Sequence, residues 1–126
     1  MLPVRLAPKK KNKNKNKNNA VKVTIDGYTF DSGAEARRYG QLAMLQRAGL
    51  ISKLTVHPVF KIKLNDVEIC KVELDFSYRD EGSKLMVIED VKGEDKPMSR
   101  LKRKLVQAAH DIKVIIVKMP RVRKRR

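Results

Sequence analysis

The sequence predicts a single α/β domain, and three observations support this fold class. Apolar and polar residues alternate over several segments, as in strands, and two longer segments have helical spacing. The second helix lies between two strands, so a crossover should place part of a central mixed sheet in parallel pairing, with helices flanking it. The predicted strands are 54–64, 67–79, 84–92 and 112–117, and the predicted helices are 33–48 and 98–109.

The N-terminal end of the predicted domain combines a small β element with a helix start. The segment 21–30 reads as a short hairpin with a turn at Asp26-Gly27, a favoured two-residue turn sequence. Ser32 followed three residues later by Glu35 matches a capping box, which predicts that a helix begins at about residue 33. Gly49 is expected to close that helix.

The remaining elements follow from apolar spacing. A bend is expected near Pro58 in the first long strand, because proline cannot donate to a ladder. Strand 67–79 should turn at 80–83 into strand 84–92. The second helix is expected to turn Met98, Leu101, Leu105 and Ala109 inward and Arg100, Lys102, Arg103 and Lys104 largely outward.

Charge is concentrated at the two ends of the chain. The formal net charge is +16, and residues 1–19 and 118–126 together hold 13 of the 30 basic residues and no acid. We therefore predict a disordered Lys/Asn-rich tail (1–20), one domain (21–118) and a basic C-terminal tail (119–126). Basic arms on a nearly neutral body suit nucleic acid, because each neutralised phosphate releases counterions. A plain solubility tail is the alternative for residues 9–19.

Composition also excludes several classes. A single cysteine rules out an intramolecular disulfide, and two histidines give no zinc-like cluster. No apolar run reaches the ~18 residues of a membrane helix, and residues 1–20 lack the core of a signal peptide. We expect a cytoplasmic protein without an organic cofactor.

The acidic hairpin is the strongest chemical signal. If the turn centres on Gly82 and Ser83, Asp75 lies opposite Asp90, and Glu73 lies opposite Lys92, all on one face. Opposed carboxylates with Cβ atoms ~5 Å apart repel each other unless a cation compensates them. Mg²⁺ or Mn²⁺ suits such an oxygen-lined site and can activate water against a phosphodiester, while the lysine orients the water or holds the phosphate.

An Asp-x-Lys tripeptide alone is a weak signal, because surface hairpins often alternate such residues. Three further features make the tripeptide stronger evidence for a metal site here: the opposed aspartate, the adjacent apolar strands and the basic helix. Glu89 should point to the opposite face, with Phe76 and Val91, and we interpret it as a structural acid paired with Arg or Lys.

Three segments carry a family resemblance: FDSGAEARRY (30–39), VIEDVKG (87–93) and RLKRKL (100–105). They resemble the PD-(D/E)xK superfamily, which has the restriction-endonuclease-like αβββαβ core, and within it a family of small phage-encoded proteins related to Holliday-junction resolvases. The resemblance covers about residues 28–117. One departure is Leu74, where the motif has Pro.

The resemblance implies a set of site residues. The catalytic set would be Glu35, Asp75, Asp90 and Lys92, with the three acids as metal ligands. Glu35 has an alternative role as a helix cap. Arg100, Lys102 and Arg103 are expected to meet the DNA backbone, with a solvated helix face as the alternative.

The function expected from these features is a Mg²⁺- or Mn²⁺-dependent endonuclease, encoded by a phage and acting in the bacterial cytoplasm, that cleaves branched DNA such as four-way junctions. Two symmetric cuts call for a homodimer. One alternative is a non-catalytic nucleic-acid-binding protein whose acids are structural. Another is a nicking or packaging-associated nuclease acting on ordinary duplex DNA.

Overall fold

The computed structural model of the chain describes residues 21–92 and 95–119. The predicted α/β class is confirmed, with a mixed sheet and two helices. The elements are β1 (Val23–Ile25), β2 (Tyr28–Phe30), α1 (Gly33–Arg47), β3 (Ile51–Val56), β4 (Val59–Leu64), β5 (Val67–Glu73), β6 (Phe76–Asp80), β7 (Met86–Val91), α2 (Pro97–His110) and β8 (Val114–Val117).

The central sheet has the strand order β3-β6-β7-β8. Strands β3, β6 and β7 pair antiparallel, and β7 pairs with β8 in parallel. The connection from β7 to β8 runs through α2, as a parallel pair requires. One apolar cluster packs between this sheet and α1, around Phe30, Leu42 and Phe76, and a second packs against α2, around Ile88 and Val106.

The predicted start of α1 is confirmed. The Ser32 hydroxyl accepts a hydrogen bond from the Glu35 backbone N–H at 3.2 Å, and the helix begins at Gly33. Ala36, Tyr39 and Leu42 form its buried face. This spacing brings the first turn of α1, with Glu35, to the sheet.

The N-terminal hairpin is also confirmed. Strands β1 and β2 pair antiparallel across Asp26 and Gly27, which both have positive φ. The predicted tails, 1–20 and 120–126, lie outside the described residues. Met119, which we assigned to the C-terminal tail, packs against the α1 cluster. Neither α1 nor α2 is long and apolar enough to cross a membrane.

The predicted continuous strand 67–79 is wrong, because the chain breaks it at Leu74 and Asp75. β5 pairs with β4 in a separate two-stranded hairpin, and β6 pairs with β3 and β7. The break coincides with the predicted bend at Pro58, where the His57 N–H donates to the Asp75 carbonyl and the Leu74 N–H donates to the Pro58 carbonyl, both at 3.0 Å. Both long strands therefore bend at one level, next to Asp75.

The predicted orientation of α2 is confirmed only in part. Leu105 packs against the second apolar cluster, and Arg100, Lys102 and Lys104 are exposed, but the positions predicted for Met98, Leu101, Arg103 and Ala109 are wrong. Arg103 and Val106 are its buried residues, whereas Met98 and Leu101 are 61% and 50% exposed. The helix is rotated because the Arg103 guanidinium reaches two carboxylates next to the sheet, at Asp90 and Asp95. An apolar stripe is consequently left on the outside.

Candidate functional site

Asp75 and Asp90 meet where β6 begins and β7 ends. The predicted register of this hairpin is confirmed: Phe76 pairs with Glu89, so the preceding Asp75 lies beside Asp90. The Asp75 N–H donates to the Glu89 carbonyl at 3.2 Å, and the Asp75 Oδ2 accepts from the Val91 N–H at 2.6 Å. The neighbouring Asp90 contributes to the raised pKa of Asp75. The structure thus brings both predicted aspartates together.

The predicted partner of Lys92 is wrong. Glu73 pairs with Val59 in the separate hairpin and is exposed, so it does not lie opposite Lys92. Lys92 itself reaches the site: its Nζ lies 3.4 Å from Asp90 Oδ1, and its backbone N–H donates to the Val117 carbonyl at 2.9 Å. Its side chain is about a quarter exposed (24%).

Glu35 comes to the same cluster from the first turn of α1. Burial raises the pKa of Glu35 to about 7, with further contributions from the negative charges of Asp31 and Asp90, while a hydrogen bond from the Asp31 backbone and the charge of Lys92 act in the opposite direction. The pKa of Glu35 is therefore influenced both by the backbone at the start of the helix and by the charge of Asp90.

Asp75 is the most perturbed member of the cluster. Burial raises the pKa of Asp75 to about 8, followed by the charge of Glu35 and then by Asp90, against the single Val91 hydrogen bond that lowers it. Like charges held together out of water disfavour ionisation. Such a shift in a group of titratable residues is typical of functional sites.

Arg103 is a residue of this cluster that we assigned to a different role. Its Nη1 donates to Asp90 Oδ2 at 3.2 Å and its Nη2 donates to Asp95 Oδ2 at 2.8 Å, and the residue is 7% exposed. The outward position predicted for it is therefore wrong. Its helical offset of three from Val106, an apolar residue that packs on the sheet, was the signal in the sequence that could have placed it inward.

The two other predicted DNA contacts lie on the surface. Arg100 and Lys102 are both exposed, and Arg100 also donates to the Asp95 carbonyl at 2.9 Å. Their positions agree with the outward orientation predicted for them. Their interaction with DNA stays a prediction.

Glu89 takes the structural role predicted for it. It is 2% exposed and accepts from Arg38 Nε at 2.8 Å and from Arg38 Nη2 at 2.6 Å. The Tyr78 hydroxyl donates to the same carboxylate. This network joins α1 to the central sheet one helical turn from Glu35 and one residue from Asp90.

The donor chemistry of the cluster fits a hard divalent cation. Glu35, Asp75 and Asp90 offer carboxylate oxygens alone, the ligand type that Mg²⁺ and Mn²⁺ take. The raised pKa values of Glu35 and Asp75 reflect burial and mutual repulsion, both of which a nearby cation would offset. Over residues 21–92 and 95–119, no three acidic, histidine or cysteine side chains are already gathered into a metal-binding group.

Fold and site together define a mixed α/β protein with a partly buried acidic cluster and one lysine where the central sheet meets the start of α1. The chain belongs to the family DUF1064, described as a protein of unknown function, whose family model matches residues 15–124. No curated protein and no solved structure matches the chain.

Proposed function

We propose that this protein is a Mg²⁺- or Mn²⁺-dependent endonuclease that cleaves branched DNA, such as a four-way junction, with a restriction-endonuclease-like core. One observation carries the proposal: Asp75, at the bend before β6, lies beside Asp90 on β7, Lys92 lies 3.4 Å from Asp90, and the charge of Glu35 in the first turn of α1 acts on Asp75. Burial and neighbouring negative charges strongly raise the pKa values of two of these acids, Glu35 and Asp75. A purely structural cluster would gain stability by losing one of them.

The order of elements supports the same class. When the β4–β5 hairpin is set aside as an insertion, the chain reads α1, β3, β6, β7, α2, β8, which is the αβββαβ order of the superfamily that the sequence resembles. The antiparallel β3-β6-β7 unit followed by the parallel β8 agrees with that order. Glu35 in the first turn of α1, Asp75 just before β6 and Asp90 on β7 support the assignment of the superfamily motif to these residues.

Each residue would have a distinct task. The three carboxylates would hold the cation, which when bound neutralises phosphate charge and lowers the pKa of a coordinated water. The Lys92 ammonium, 3.4 Å from Asp90, would orient that water or hold the scissile phosphate. Arg103 fixes Asp90 from the opposite side, because it donates to Asp90 Oδ2 while Lys92 lies near Oδ1.

The charge distribution supports DNA as the substrate. The folded body is nearly balanced, whereas residues 1–19 and 118–126 supply a charge of +13. Phosphate contacts made by such arms carry no base sequence information, so they favour recognition of shape and backbone. This agrees better with branched DNA than with a defined duplex site.

The test is cleavage of labelled four-way junction and linear duplex at matched ionic strength, with Mg²⁺, with Mn²⁺ and with chelator. We expect metal-dependent cutting of the junction that Asp90→Ala and Lys92→Ala each lower by at least ~100-fold, since each removes a charge that acts on the reacting phosphate. Binding should persist in both variants. Glu73→Ala is the matched control, because this acid is exposed and lies on the separate hairpin.

The same experiment separates the alternatives. Equal cutting of linear duplex would move the substrate to ordinary DNA and keep the site. Strong, salt-sensitive binding of linear, nicked, flapped and four-way DNA without any cleavage would favour a non-catalytic binding protein, for which the basic ends of the chain are the supporting observation. Undiminished cleavage by Asp90→Ala and Lys92→Ala would refute the site.

A further inference from the structure

His57 lies where the chain leaves the central sheet, and it has an unusual backbone conformation. Its φ is 56°, in the left-handed region that residues other than glycine rarely adopt. The next residue is Pro58, whose ring drives the residue before it toward extended conformations. Two separate local preferences therefore oppose the conformation that His57 has.

The strand pairing on either side of His57 shows what this conformation does. Val56 pairs with Phe76 at the end of β3, and Val59 pairs with Glu73 at the start of β4. The two pairs are three positions apart on both strands, so the bend contains no inserted residue, as a β-bulge would. The change of direction therefore comes from rotation of the backbone, and His57 is the residue at the bend with a positive φ.

The rotation changes the hydrogen bonds of Asp75, which lies opposite His57 in this register. In a regular antiparallel ladder, two directly opposite residues exchange two backbone hydrogen bonds or none. Here one of the two is formed, because the His57 N–H donates to the Asp75 carbonyl at 3.0 Å. The Asp75 N–H donates instead to the Glu89 carbonyl on β7, at 3.2 Å. Asp75 is thus held by the end of β3 through its carbonyl and by β7 through its N–H.

The side chain of Asp75 is directed to β7 as well. Its Oδ2 accepts from the Val91 N–H at 2.6 Å, and Val91 follows Asp90 on that strand. If Asp75 exchanged both backbone bonds with His57, its N–H would not be available to β7. The backbone conformation of His57 is therefore coupled to the position of the Asp75 carboxyl.

The imidazole of His57 has a different environment from its backbone. The side chain is half-buried, and its ring lies 5.7 Å from the ring of Phe30, measured between centroids. Phe30 belongs to the apolar cluster that packs under α1. A packed ring of this kind can be replaced without changing φ, so substitutions can separate the role of the ring from the role of the backbone.

We propose that His57 is a positioning residue for the candidate site, and that its left-handed backbone, rather than its imidazole, places Asp75 beside Asp90. The consequence for cleavage rests on the proposed function, whereas the consequence for the position of the Asp75 carboxyl does not. Strained backbone persists where the surrounding structure fixes it, and it clusters at functional sites. Here it lies one hydrogen bond from a site acid.

Three substitutions at position 57 separate the two roles. His57→Asn and His57→Gly remove the imidazole but accept the left-handed conformation, since asparagine tolerates it and glycine has no Cβ. His57→Val also removes the imidazole, but a β-branched residue strongly disfavours positive φ. Asn65→Val is the matched control, because Asn65 also has a positive φ, 50°, and lies in the turn at the far end of the β4–β5 hairpin.

The first measurement is hydrogen exchange of the Val91 amide by NMR, in the full chain without metal. This amide donates to Asp75 Oδ2, so its protection reports the position of the carboxyl. Dividing its exchange rate by that of Ile88, a buried residue of β7, removes changes in overall stability. We expect the ratio of the parent in His57→Asn, His57→Gly and Asn65→Val, and a ratio at least ~10-fold higher in His57→Val, since a hydrogen bond to a charged group is lost.

The second measurement is kcat and KM for a four-way junction with Mg²⁺. In His57→Val, kcat should fall at least ~10-fold and KM should be unchanged, because a displaced ligand affects the chemical step and not the DNA contacts. His57→Asn and His57→Gly should keep the kcat of the parent. His57→Ala should shift both measurements in the same direction as His57→Val by a smaller amount, and it decides the test if circular dichroism shows that His57→Val does not fold.

Two results would overturn the proposal. One is a Val91 ratio in His57→Val and His57→Ala that equals the ratio of the parent. The other is a loss in His57→Asn and His57→Gly as large as that in His57→Val, which would assign the effect to the imidazole. A parent that cuts no DNA would refute the proposed function alone, and the Val91 measurement would still decide this inference.

Discussion

Two adjacent acids on β7, Glu89 and Asp90, face opposite sides of the sheet and have different environments. Glu89 is 2% exposed, and its carboxylate receives two hydrogen bonds from Arg38 and one from Tyr78. Asp90 is also buried and pairs with Lys92 and Arg103, yet it lies beside another acid, Asp75. On one side of the strand, the buried acid is paired with an arginine that binds both of its oxygens. On the other side, two acids lie next to each other.

The two environments of Glu89 and Asp90 differ in how well the buried negative charge is compensated. A buried charge is tolerated when it is paired and hydrogen-bonded, as Glu89 is by a guanidinium that reaches both of its oxygens. The raised pKa values of Glu35 and Asp75 show that the acids on the other side lack such compensation. Buried acids in that state destabilise the fold when they are ionised, and a bound cation would offset this cost.

The largest expected effect on stability comes from breaking the ion pair between Glu89 and Arg38. Glu89→Gln leaves the Arg38 guanidinium, 20% exposed, without its carboxylate, and should lower the free energy of unfolding by about 2–3 kcal/mol. Urea denaturation measures the change. Glu73→Gln, at an exposed acid, should stay within ~0.5 kcal/mol of the parent. Equal stability of both variants would contradict the structural role of Glu89.

A smaller effect is expected from Arg103→Lys, which tests whether Arg103 holds Asp90 in position. Lysine cannot reach Asp90 and Asp95 together as the guanidinium fork does, so Asp90 should be less well fixed and kcat on junction DNA should fall about 10-fold. DNA affinity should be retained.

Lys102→Ala provides the contrast to Arg103→Lys, because Lys102 is exposed on the same helix. It should weaken DNA binding in a salt-dependent way and leave kcat unchanged. If Arg103→Lys instead weakens binding and spares kcat, Arg103 is a backbone contact and not a positioning residue.

The smallest expected effect concerns pH. The pKa is raised to about 7 for Glu35 and to about 8 for Asp75. Between about pH 4 and these values, the folded protein keeps both carboxyls protonated, whereas the unfolded chain has released the protons. These two groups therefore contribute stability that is fully present below about pH 4 and is lost as pH rises through about 8. Without metal, Asp75→Asn should be more stable than the parent at pH 8.5, by on the order of 1 kcal/mol.

Thermal melts at pH 5.5 and pH 8.5 measure this difference, with and without Mg²⁺. Added Mg²⁺ should raise the Tm of the parent at pH 8.5 and have little effect on Asp75→Asn, because binding to the folded state stabilises it. A parent whose stability rises from pH 5.5 to 8.5 relative to Asp75→Asn would contradict the raised pKa values.

Local signals in the sequence determined a large part of the fold and of the site. The Ser32 and Glu35 spacing located the start of α1, because a cap depends on neighbours within one turn. The turn at residues 80–83 set the register of β6 and β7, since a hairpin fixes its pairing from its own loop. That register placed Asp75 beside Asp90 and turned Glu89 to the other face.

Tertiary structure decided what the local pattern left ambiguous. Alternation continues unchanged through Leu74 and Asp75, so the sequence could not show that two strands bend there together; the hydrogen bonds to His57 and Pro58 come from a distant segment. The rotation of α2 was decided in the same way, because Arg103 turns inward to Asp90 and Asp95 while Met98 and Leu101 stay exposed. Periodicity shows that a helix has an apolar stripe, but only the packed structure shows whether the chain itself covers that stripe.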